Sequence, residues 1–213
     1  MNNSFLTIGA MCAVMAVPFG MALADENANL VIDGELKITV RAPAADHLEN
    51  LDEVLSGWLF RSTETQAMQA DDFDNPRMIF VDKGHDTWNT VEGENGKSCA
   101  SCHGSPEELA GVTGVYPKWN EEAGEVRTIS MQINNCRTEQ MGAEEWAYDK
   151  TDLLNVTALL ASVSRGMPVN VAIDGHAQST WEQGRELYYA RTGQLEMSCA
   201  NCHEDNYGNN IRA

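Results

Sequence analysis

Basic residues are scarce in this 213-residue sequence: 14 Lys and Arg stand against 32 Asp and Glu, for a net charge of −18. That balance argues against a nucleic-acid groove or an anionic membrane surface as partner; it suits a basic protein partner or, more simply, keeps an exported protein in solution. Long apolar runs are scarce as well. The one run, Phe5 to Ala24, is barely 20 residues long and is broken by Pro18 and Gly20, which favours cleavage over spanning. No Lys or Arg precedes it, but Ala22-Leu23-Ala24 closes it as a small-x-small cleavage site, so residues 1–24 read as a signal peptide and the mature chain as periplasmic, with no membrane anchor. Cysteine is sparse too. Loss of the signal removes Cys12 and leaves Cys99, Cys102, Cys136, Cys199 and Cys202, an odd set that no simple disulfide framework pairs. With 43% hydrophobic and 22% charged residues, the composition is that of one or two small soluble domains rather than a disordered chain.

Four of those five cysteines fall into two copies of one word, Cys99-Ala100-Ser101-Cys102-His103 and Cys199-Ala200-Asn201-Cys202-His203. In a CxxCH motif two thiols one helical turn apart reach both vinyl groups of a haem, and the adjacent imidazole is offered to the iron. A zinc site would need two CxxC pairs on one metal and would leave both histidines as coincidences. The reading is therefore two covalently bound haem c groups, held by Cys99 and Cys102 with His103, and by Cys199 and Cys202 with His203.

The motifs belong to an internal repeat offset by 100 positions: Gly84 matches Gly184, Gly93 matches Gly193, Ser98 matches Ser198, and Trp88 aligns with Tyr188. Helical spacing precedes each motif, over 76–89 with Phe80 and Trp88 on an apolar face, and over 179–189 with Trp181, Leu187 and Tyr188. A closing helix over 151–164 follows the first motif, with Leu153, Val156, Leu159, Leu160 and Val163 at three- and four-residue steps. Between Gly104 and Gly142 the sequence reads as irregular loop wrapped on a haem edge. The expected fold is mainly α: tandem cytochrome c-like domains over 56–170 and 171–213, the second incomplete, because only Glu204 to Ala213 follow His203. Before them, residues 25–55 read as an extension, either a short hairpin around Asp33-Gly34, the reading favoured here, or a partner-binding arm.

Sulfur ligands on the far side of the first iron are offered by Met131, Cys136, Met141 and Met167, and the residues alone leave Cys136 and Met167 level. Arg137, next in sequence to Cys136, is placed to help hold a thiolate. His47, His85 and His176 read as surface residues.

Longer words carry a resemblance: the stretch from Thr63 to Pro76, the words around Cys99 and Cys199, Ile133-Asn134-Asn135-Cys136-Arg137-Thr138-Glu139, and Ser164-Arg165-Gly166-Met167-Pro168. Together, over about Leu51 to Gly208, the sequence resembles the dihaem SoxA family of bacterial thiosulfate oxidation. The resemblance implies that Cys136 is the second axial ligand of the first haem and that Met167 only packs. It implies a thiosulfotransferase activity: thiosulfate joined oxidatively to a cysteine of the carrier SoxYZ, with electrons passed through haem to the partner cytochrome SoxX. In that family the second haem is catalytic and its other ligand is a cysteine in the carboxy-terminal part, beyond Ala213, so no catalytic residue is expected within this chain. The competing reading is a dihaem electron-transfer cytochrome without sulfur chemistry.

Overall fold

The structure, a computed structural model, describes residues 29–46, 48 and 50–209; the signal-peptide reading and His47 lie outside them. Among the described residues no helix is long and apolar enough to cross a membrane.

The described residues open with β1 (Leu30–Ile32) paired antiparallel to β2 (Leu36–Ile38). Asp33 and Gly34 supply the turn with φ of 52° and 74°, the left-handed pair that a tight hairpin demands, so the Asp33-Gly34 expectation holds. A second hairpin joins β3 (Arg41–Pro43) to β4 (Glu53–Leu55). Leu30, Ile32, Val40, Trp58 and Leu59 close a small core, on which Ala70 at the end of α1 (Thr63–Ala70) also packs.

The first cytochrome-like unit is built on α2 (Met78–Asn89) crossing α5 (Thr151–Ser162). The crossing is close because α2 carries Gly84 there: a Cβ would stand 2.5 Å from the Asn155 carbonyl oxygen and 2.8 Å from Leu159 Cβ. Trp88, Val156, Leu159 and Leu160 form the core of the unit. Phe80, expected on the buried face, is exposed, and Val81 packs in its place.

Between the two helices lies α3 (Cys99–His103), and then a segment less irregular than its sequence suggests. It holds the hairpin of β5 (Lys118–Asn120) and β6 (Glu125–Arg127), followed by α4 (Ile129–Cys136), which continues into a π-helical turn over Arg137–Met141. Thr128 caps α4 by accepting from the Met131 amide at 3.2 Å. Side chains rather than helix propensity hold it: Asn134 is 1% exposed, donates to the Trp146 carbonyl at 2.9 Å and accepts from the Trp146 amide at 3.0 Å.

The repeat returns as α6 (Gln178–Tyr189) and α7 (Cys199–His203). No residue of α6 is buried; Trp181 and Leu187, expected on an apolar face, stand exposed. The local frame is nonetheless copied, down to the isolated bridges Glu92 to Lys97 and Thr192 to Met197 ahead of the two motifs.

Candidate haem sites

Ser98 is why the first motif is helical. Its hydroxyl accepts from the Ser101 amide at 3.2 Å while the Ser101 hydroxyl accepts from the Ser98 amide at 2.9 Å, a reciprocal cap on a five-residue helix. One turn separates Cys99 from Cys102, and His103 follows. Trp88 fixes the far end of this helix: its indole N–H donates to the Gly104 carbonyl at 3.0 Å and its ring lies 5.9 Å from that of His103.

A cavity of about 300 Å³ opens beside α3. Cys99, Cys102 and His103 line one part of it, and Leu109, Val112, Ile129, Val156 and Leu160 make apolar walls. Cys136 and Met141 enter from the end of α4 and the π turn. The structure thus brings Cys136 together with the motif residues across 33 positions of sequence. Met131 is used at the cap of α4, its sulfur accepting from the Thr128 amide at 3.5 Å; Met167 is 46% exposed and is not among the cavity residues. Met141 at 5% exposure is the sulfur, besides the cysteines, that does line the cavity.

The Cys136 sulfur accepts from the Gln132 side-chain amide at 3.6 Å, a contact within one turn of α4. Arg137 does not serve it as the sequence suggested. The Arg137 guanidinium is held elsewhere, with Nη1 on Glu92 Oε2 at 2.6 Å and Nε donating to the Glu144 carbonyl at 3.0 Å, over the Trp146 ring at 3.6 Å from its centroid. Burial pushes the Cys99 thiol above its ordinary range, against the pull of the Arg137 charge, and burial likewise raises the Tyr116 phenol.

This donor set fits a haem. Apolar walls suit the macrocycle, thiols one turn apart suit thioether attachment, and an imidazole and a further sulfur line the same space. Through Tyr116 and Gln132 the cavity adjoins a polar recess holding Lys118, Arg127 and Trp119. There the buried Trp119 indole N–H has no partner among the described residues, a donor that a carboxylate side chain of the haem would satisfy.

The second motif has the same cap: the Ser198 amide donates to the Asn201 side-chain oxygen at 2.9 Å. Its surroundings differ. Cys199 is exposed where Cys99 is half-buried, Cys202 and His203 are exposed as Cys102 and His103 are, and Leu48, Leu51 and Val54 join α6 in lining the groove at His203. Leu48, Leu51 and Val54 face Gly184, Tyr188 and His203 across an open groove, and Leu55 and Phe60 border a recess on Cys202. The Tyr207 hydroxyl ties the two parts, bonding both the amide and the carbonyl of Leu55. This wall is what the sequence left unread for residues 25–55. Of the histidines set aside, His176 is exposed and stacked on Trp119 at 5.2 Å, and the partly buried His85 is not among the cavity residues.

The SoxA/TsdA cytochrome c domain family matches residues 83–169, which hold the first motif and Cys136; cytochrome c domains carry covalently bound haem c. The SoxA subunit of L-cysteine S-thiosulfotransferase from Rhodovulum sulfidophilum is 54% identical over 186 residues, covering 86% of this chain and 65% of the relative. That from Paracoccus pantotrophus is 50% identical, covering 83% and 61%, and that from Pseudaminobacter salicylatoxidans is 45% identical, covering 96% and 71%. The chain therefore spans somewhat under two thirds of the length of the first two. In the crystal structure of SoxXA from P. pantotrophus, one chain superposes with a TM-score of 0.82 at 47% identity, covering 88% of this chain and 72% of that one. Helical cytochrome architecture, an apolar cavity shared by Cys99, Cys102, His103 and Cys136, and these relatives agree: the chain belongs to the SoxA family.

Proposed function

We propose that this protein is an exported, periplasmic dihaem cytochrome acting in thiosulfate oxidation. Cys99 and Cys102 hold the first haem by thioether bonds, with His103 and Cys136 as its axial ligands; Cys199, Cys202 and His203 hold the second. The observation that carries the reading is that Cys136 lines the apolar cavity of the first motif. Bound haem supplies a one-electron sink. The chain's own part is to bury that group among Val156, Leu160 and Ile129, to keep water from it, and to present a sulfur whose thiolate charge disfavours a further electron. The first site is accordingly a centre that stores charge or stabilises the fold, and sulfur chemistry belongs to the second.

The overall reaction joins thiosulfate to a carrier thiol, RSH + S₂O₃²⁻ → RS–S–SO₃⁻ + H⁺ + 2e⁻, the carrier being SoxYZ and the electrons leaving to SoxX. Support comes from the relatives, thiosulfotransferase subunits, and from a structural neighbour solved as SoxXA. Electron paramagnetic resonance of Cys136→Ala tests the first site: the low-spin ferric thiolate signal is expected to vanish, and its persistence unchanged would sink the assignment. Intact mass of the mature protein should show two haems. For the reaction, thiosulfate is supplied to the protein with its small cytochrome partner and the carrier; no gain of a thiosulfate adduct on the carrier cysteine refutes it.

A further inference from the structure

Two sulfur side chains five positions apart, Cys136 and Met141, line the same cavity, and both belong to the stretch where α4 gives way to the π turn. π turns are rare, and inserting one changes which side chains a helix end presents to one face. What fixes this one is a set of contacts outside the turn. Arg137, 5% exposed, is gripped by Glu92, by the Glu144 carbonyl and by the Trp146 ring. Glu92 opens the loop that delivers the CxxCH motif, and that loop is zipped to the end of the turn: the Glu94 amide donates to Gly142 at 3.1 Å, the Asn95 amide to Met141 at 3.0 Å, and the Asn95 side chain to Gln140 at 3.1 Å. Gly93 permits the approach, since a Cβ there would lie 2.2 Å from the Met141 carbonyl oxygen.

We propose that the Glu92–Arg137 pair is a positioning device that selects which sulfur, Cys136 or Met141, faces the first motif. The inference rests on the proposed haem site and on Cys136 as its ligand. Arg137 makes no hydrogen bond to the Cys136 sulfur; it acts by joining the residue after the cysteine to the loop before the motif. With the pair intact, the π turn cannot roll, and Cys136 is held toward the cavity while Met141 packs. With it broken, the loop and the turn are joined mainly by backbone bonds around Met141, which leaves the thioether a route to the site. The second motif has Thr192 where the first has Glu92, so the pair is a property of the first site alone.

The test is made on the haem-loaded full chain. Arg137→Gln and Glu92→Gln should each retain covalently attached haem by haem stain, yet lose at least about half of the thiolate signal in electron paramagnetic resonance. A thioether charge-transfer absorption should take its place, and Arg137→Lys should lie between Gln and the parent. Adding Met141→Leu to either Gln variant removes the competitor and should restore the thiolate signal. Glu92, on a partly exposed loop, supplies the answer should Arg137→Gln not fold. An unchanged thiolate fraction in both Gln variants overturns the proposal, as does a loss that Met141→Leu fails to restore. Absence of the thiolate signal in the parent would instead refute Cys136 as ligand, a separate failure.

Discussion

The two CxxCH units differ far more in what lies over them than in themselves. Each has a preceding helix, a glycine at its centre, a bridge before the motif and a reciprocal cap on the motif helix. In the first unit Gly84 presses on Asn155 and Leu159 of α5; in the second, Gly184 has nothing within 4 Å. The same local code thus yields a buried core in one place and an exposed face with Leu187 at 74% in the other. The motif specifies its own helix; burial is supplied by a segment elsewhere in sequence.

The comparison is tested most strongly by truncating one apolar residue in each unit. Leu159→Ala, in a fully buried side chain, should cost about 3 kcal/mol in denaturant unfolding, whereas Leu187→Ala should stay within about 0.5 kcal/mol. Equal losses would mean that the second unit has a hidden core. Adding a methyl group should split the pair by sign: Gly84→Ala drives a Cβ into the α5 backbone and should lose about 2 kcal/mol, while Gly184→Ala should gain about 0.5–1 kcal/mol from helix propensity, both read by thermal melts.

How much of this was legible in sequence follows the same division. The CxxCH words, the turn at Asp33-Gly34 and the three- and four-residue steps of α5 are local signals, and they gave the motifs, the hairpin and the closing helix. Helix α4 was not legible. Ile129, Met131 and Ile133 alternate as a strand would, and Asn134-Asn135 is poor helix material; the helix stands because Asn134 finds both backbone groups of Trp146. Arg137 was misplaced for the same reason: adjacency to Cys136 in sequence says nothing of a carboxylate 45 positions earlier. Two of the family words, around Asp72 and around Arg165, turn out to be halves of one contact, with both terminal guanidinium nitrogens donating to the Asp72 carboxylate at 2.7 Å.

That contact gives a smaller prediction. Hydrogen bonding to Arg165 holds the Asp72 carboxyl below its ordinary range. A carboxylate whose folded pKa is depressed contributes stability that is fully present above its unfolded pKa, about 3.9, and is lost as pH falls through the lower folded value. Asp72→Asn should therefore cost about 1 kcal/mol at pH 7, and the gap from the parent should close in urea melts below about pH 4. A gap that persists there would assign the loss to packing.

A further small effect should come from the second unit. Tyr207→Phe removes the hydroxyl that bonds Leu55 and should cost at most about 1 kcal/mol, read as faster amide hydrogen exchange at Leu55 with Leu159 unchanged. Protection lost equally at both would merge the two units into one cooperative block.

The Leu55–Tyr207 contact joins residues 152 apart, with the whole of the first unit between them. Topologically it closes residues 55–207 into a loop clasped by one side chain. The entropy of closing a ring grows only slowly with its length, and folding the first unit beforehand shortens the free span that must be closed. The order of events is then set by connectivity: the site of Cys136 can form as soon as α5 docks on α2, whereas the wall beside His203 is completed only when the chain's two distant parts meet.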